Sequence, residues 1–140
     1  MKLKIAVTLI VFVVSASSCF AASDGAKSRS GLFLEGIKAG KVEAAYDKIL
    51  KGSPMNMIQP QSVVMLKQQT ATILSFFGKV IGYELIHEES YGSSFVELVY
   101  IMKLEDAPIF WKFYFYKPNK EWFVTGVTFN TDPDLLKTAE

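Results

Sequence analysis

His87 is the only histidine in the chain, Cys19 is the only cysteine, and Glu97 is the one acidic residue in the otherwise hydrophobic run 95–102. Their types and settings make these three the side chains to weigh first for chemistry. An imidazole titrates near neutrality and can serve as a general base. A carboxylate held in apolar surroundings takes a raised pKa and can hold or deliver a proton. Glu97 and His87 are therefore the catalytic candidates, and each also has a plainer reading. His87 lies among Glu84, Glu88 and Glu89, as a solvated residue of an edge strand would. Glu97 and Lys103 fall on one side of their strand, and Lys112 falls on the same side of the next, so cross-strand pairing accounts for all three. A single histidine supplies too few ligands for a metal site. The chain also has no Cys/His spacing, no Gly-rich phosphate loop and no G-x-S-x-G motif, so neither metal nor cofactor is expected.

Cys19 belongs to a different kind of segment. Met1-Lys2-Leu3-Lys4 is a basic start, residues 5–14 are apolar except for Thr8, and residues 15–22 are mostly small. That is the pattern of a secretory signal peptide over residues 1–22, too short in its apolar part to anchor in a bilayer. Cleavage after Ala21 places Cys19 and Ala21 at the small positions of an A-x-A-like exit. The expected product is released, periplasmic or secreted, and free of thiols. Ala16-Ser17-Ser18-Cys19 also resembles a lipobox, although it lacks the usual leading Leu. On that alternative Cys19 is acylated and the domain is tethered to the membrane.

Loss of Lys2 and Lys4 from the 15 basic residues leaves 13 against 14 acidic ones. A chain so near neutrality has no bulk electrostatic reason to seek nucleic acid, or a membrane unless Cys19 is acylated. With 140 residues, half of them hydrophobic, one packed domain is expected over residues 31–134.

The elements that must position His87 and Glu97 follow from periodicity. Residues 23–30 are small and polar and read as a disordered lead-in. Residues 31–39, 41–51 and 61–77 carry apolar stripes at helical spacing, closed by Gly40, Gly52 and Gly78. From Val80 the period becomes two. Residues 94–104, 109–117 and 121–130 are dominated by Val, Ile, Phe, Tyr and Trp, as strands are. In the first, Val96, Leu98, Tyr100, Met102 and Leu104 share a face that should meet the helices. In the second, Ile109, Trp111, Phe113 and Phe115 oppose Phe110, Lys112, Tyr114 and Tyr116. Residues 135–140 read as a tail. Helices followed by an antiparallel meander make an α+β domain, with three N-terminal helices on a sheet of about four strands.

Gly40-Lys41-Val42-Glu43-Ala44-Ala45-Tyr46, Gly82-Tyr83-Glu84-Leu85-Ile86, Tyr100, Trp111-Lys112-Phe113-Tyr114-Phe115-Tyr116-Lys117 and Glu121-Trp122-Phe123-Val124 together resemble exported bacterial members of the NTF2-like superfamily of cone-shaped, cystatin-like α+β domains. The resemblance covers residues 31–130. It implies a curved sheet wrapped around helices, a pocket that in some members is catalytic, and frequent dimerisation through the sheet. Tyr100, Trp111, Phe113 and Trp122 are then the expected ligand-binding residues, and Phe110, Tyr114 and Tyr116 the expected interface of a homodimer. The implied function is non-catalytic binding of a small apolar ligand or an envelope protein. The alternative is an isomerase- or hydrolase-type pocket enzyme using Glu97 or His87.

Overall fold

Period-two alternation after Val80 builds one four-stranded antiparallel sheet in the order β1-β2-β3-β4. The computed structural model describes residues 23–137, so residues 1–22, where the leader is expected and where Cys19 falls, and residues 138–140 lie outside the described residues. The strands are β1 (Val80–Tyr91), β2 (Phe95–Leu104), β3 (Pro108–Tyr116) and β4 (Phe123–Asn130). They follow α1 (Asp24–Lys38), α2 (Val42–Ile49), the single turn α3 (Met55–Ile58) and α4 (Pro60–Phe77). A 3-10 turn, η1 (Pro133–Leu136), comes after β4 and returns beside β3 and β4. The chain is therefore α+β, with four α-helices in place of three, because the connector before Pro60 winds one turn of its own.

Residues 24–30 form the first half of α1, with Ser23 at its N-cap, and not a disordered lead-in. The helical stripe continues through them in small residues: Ala26 and Ser30 are buried in line with Phe33, Leu34 and Ile37. Ser30 Oγ satisfies itself on the helix carbonyls of Ala26 (3.0 Å) and Lys27 (3.1 Å) and shares a 2.8 Å hydrogen bond with Tyr100 Oη. A hydroxyl so partnered can be buried without the usual penalty. Asp24 in the first turn and Lys38 in the last complement the helix dipole. Gly36 allows α2 to approach closely, since a Cβ there would lie 2.9 Å from Ala45 Cβ.

The helix α4 opens with Pro60, whose missing N–H costs nothing at that position. It is tied to α2 by Lys67, which pairs with Glu43 (2.7 Å) and Asp47 (2.9 Å), and by a 2.9 Å bond between Tyr46 Oη and Thr70 Oγ1.

The helix-facing side of the sheet carries the residues expected on β2 and β3, all buried. Phe33 of α1 meets Tyr46, Trp111 and Phe113 edge-on, with ring centroids 5.0, 5.2 and 5.5 Å away. Tyr100 meets Phe113 in the same way at 5.8 Å. Edge-to-face packing suits the ring quadrupoles and fills the interior.

Three register steps depart from plain alternation, the first at the start of β1, where Val80 pairs with Leu104 but Gly82 with Lys103. Between β3 and β4, Tyr114 pairs with Gly126 but Phe115 with Val124, so Thr125 is an extra residue. Val124 and Val127 thus both reach the core, where simple alternation puts them on opposite faces. In β1, Leu85 pairs with Tyr100 while His87 pairs with Val99, leaving Ile86 as the extra residue of a β-bulge.

Candidate functional site

The bulge at Ile86 determines which residues meet. Continuing the pairing of Tyr83 with Met102 and Leu85 with Tyr100 would place Glu88 opposite Glu97 and turn His87 toward the core. The extra residue reverses this: His87 lies opposite Val99, Glu89 opposite Glu97 and Tyr91 opposite Phe95, all on the outer face of the sheet. Glu88 is sent to the helix side, opposite Leu98. There it accepts a hydrogen bond from Ser23 Oγ and pairs with Lys27 Nζ at 2.7 Å. Burial works to raise the Glu88 carboxyl, and Lys27 and Ser23 outweigh it, so the group is held below its ordinary range.

On the outer face three strands bring a charged group together. Glu97 is 8% exposed and Lys112 6%. Lys112 Nζ stands 3.9 Å from Glu97 Oε1, and His87 Nε2 stands 4.0 Å from the same oxygen and 3.6 Å from Glu89 Oε2. The imidazole is half exposed and lies beyond direct hydrogen-bond reach of both carboxylates. Lys103, expected to share in this pairing, instead lies 3.4 Å from Glu84. Glu97 and Lys112 line a cleft of about 510 Å3 with His87 and Glu89, walled by Ile86, Val99, Leu135 and Leu136 and edged by Lys137. The stretch read as a tail thus supplies one wall.

Beside the cleft runs an aromatic strip. Phe95 stacks on Tyr114 with centroids 5.9 Å apart, and Tyr91 lies 5.8 Å from Phe95. Gly126 makes room for it, since a Cβ there would meet Tyr114 Cδ2 at 2.9 Å. The Tyr114 hydroxyl is raised above its ordinary value by burial and then by Glu97, and the Tyr91 hydroxyl mainly by its hydrogen bond to Glu89.

The two catalytic candidates therefore meet in one cleft, outside the helix–sheet interior. The expected ligand residues are elsewhere. Tyr100, Trp111 and Phe113 are buried core. Trp111 Nε1 is buried with no hydrogen-bond partner among the described residues, so this ring serves as apolar volume. Trp122 lines a separate cleft with Arg29 and Lys51. Of the expected interface residues, Phe110 is buried, Tyr114 partly buried and Tyr116 exposed. Glu89, Tyr91, Phe95, Leu135 and Leu136 were not singled out by sequence reasoning. Phe95 shares the Glu97 face of β2 by plain alternation, whereas Glu89 and Tyr91 join through a bulge formed at an isoleucine, which carries no turn signal, and Leu135 and Leu136 through the return of η1.

Comparison with protein-family models, with curated proteins and with solved structures finds no match to this chain. Function must therefore be argued from the site itself. Among the described residues no group of three or more His, Cys, Asp or Glu is placed to hold a metal, and no helix is long and apolar enough to cross a membrane.

Proposed function

We propose that this chain is an exported, non-catalytic domain of NTF2-like shape that binds a small ligand in the cleft over Glu97 and Lys112. The observation that carries this reading is the contrast between a filled interior and a half-walled outer cleft. Interlocked rings occupy the space between sheet and helices, where the superfamily resemblance implies a pocket. The outer cleft has a volume typical of small-molecule sites, with apolar walls and a charged floor. That lining suits a ligand with an apolar body and a polar head able to meet both a carboxylate and an ammonium group. The succession of helices followed by a four-stranded meander supports the NTF2-like assignment. Export rests on the leader pattern of residues 1–22, and Ser23, next after it, already belongs to the fold through Glu88.

Native mass spectrometry of the protein released from its own envelope tests the reading. Wild type is expected to carry a bound small molecule that Leu136→Asp loses. A wild type that emerges bare, with cleft amide resonances unmoved by an envelope extract, ends the proposal. The same spectrum decides between a free N-terminus at Ala22 and an acylated Cys19.

A second reading draws on the position of His87 between two carboxylates. There Glu97 is a proton acceptor, and the protein is an acid–base enzyme. Glu97→Gln would then keep the ligand and lose its conversion.

A further inference from the structure

A second cleft, of about 640 Å3, lies on another part of the molecule, where the first half of α1, the end of α2 and the start of β4 converge. Arg29, Lys48, Lys51 and Lys120 line it, and Glu121 is the one carboxylate among its lining residues. None of the four cations makes an ion pair among the described residues, whereas Lys27, Lys67, Lys103, Lys112 and Lys137 all do. The chain as a whole is close to neutral, so this is a local concentration of uncompensated positive charge.

The cleft has a structured wall. Arg29 donates to the carbonyls of Trp122, Ile49 (3.3 Å) and Lys51 (3.0 Å), which fixes the guanidinium between α1, the end of α2 and β4. Two glycines admit the aromatic wall: a Cβ on Gly25 would lie 2.9 Å from Trp122 Cδ1, and one on Gly52 2.9 Å from Phe123 Cε1. Lys117 Nζ stands 5.0 Å from the Trp122 ring centroid, which brings a fifth cation to the same neighbourhood. The dipole of α2 accounts for lysines near its C-terminal end. It does not account for Lys120, which the β3–β4 turn brings to the other side of the same cleft.

We infer that this cleft is a binding site for a phosphate-bearing anion. Three lysines lining one cleft with a fixed guanidinium, and a single carboxylate among the lining residues, favour a multiply charged anion over a single carboxylate. The phosphate could belong to a soluble molecule or to a lipid headgroup.

Titration with inorganic pyrophosphate at low salt, followed by amide NMR, tests the inference, with phosphatidylglycerol vesicles in a parallel sedimentation assay. Saturable binding is expected in at least one arm, with pyrophosphate shifting the amides of Gly52, Glu121 and Trp122. It should weaken at least tenfold in the triple variant Lys48→Gln/Lys51→Gln/Lys120→Gln. The control Lys38→Gln/Lys41→Gln/Lys79→Gln, which removes the same charge elsewhere, should bind within twofold of wild type. Lysine-dependent binding to vesicles alone assigns the phosphate to a lipid, and to pyrophosphate alone or to both assigns it to a phosphate group as such. No saturable binding in either arm, or equal weakening by the two triple variants, overturns the inference. Leu136→Asp, which tests the outer cleft, should leave this binding unchanged.

Discussion

At the scale of single residues, the buried Glu97–Lys112 pair is the costliest feature of the outer face. Removing one member of such a pair leaves the other's charge poorly solvated, while replacing both by apolar groups removes the problem. Glu97→Ala is expected to cost roughly 2–4 kcal/mol in urea unfolding, and Glu97→Met/Lys112→Met less than either single change. Additive costs would show that the two groups do not act as a pair. The tyrosines make a second residue-scale prediction. Burial, and then the Glu35 carboxylate to which it donates at 2.9 Å, push the Tyr83 hydroxyl up to about 12. Burial raises Tyr46 further, against a smaller opposing effect of Thr70. Both shifts favour the protonated form in the folded state. The stability they contribute is complete below pH 10, the ordinary tyrosine value; the Tyr83 part is lost as pH rises through about 12, and the Tyr46 part at higher pH. Unfolding free energy measured between pH 10 and 12 should fall more steeply for wild type than for Tyr83→Phe. Parallel slopes would contradict the assignment.

At the scale of elements, α1 is the best place to test packing. Gly36 and Gly31 lie in one helix but differ in surroundings: a Cβ at Gly36 meets Ala45, and one at Gly31 meets nothing within 4 Å. Gly36→Val should cost roughly 1–3 kcal/mol by forcing α1 and α2 apart. Gly31→Ala should be neutral or stabilise by up to about 1 kcal/mol through helix propensity. Thermal unfolding of both distinguishes the close α1–α2 approach from an open one. The faces of β2 and β3 were legible because their alternation is uninterrupted, from Val96 to Leu104 and from Ile109 to Phe115. The first half of α1 was not, because small residues, Ala26 and Ser30, continue its buried stripe. The partners of Glu97 were half legible. Lys112 follows from alternation, but Glu89 and His87 reach the outer face only through an extra residue that no glycine or proline marks.

At the scale of the whole molecule, the structure divides into a sealed helix side and an outer side that carries the charged cleft and the aromatic strip. That division depends on the register step at Ile86 in β1. Cysteine pairs read it directly, in protein lacking Cys19. Oxidised Glu89→Cys/Glu97→Cys should form a disulfide readily, since these residues lie opposite one another across the bulged ladder, and Glu88→Cys/Glu97→Cys should stay reduced. If the Glu88 pair closes and the Glu89 pair does not, β1 runs without the bulge, His87 and Glu89 face the helices, and the outer cleft does not exist in the form described.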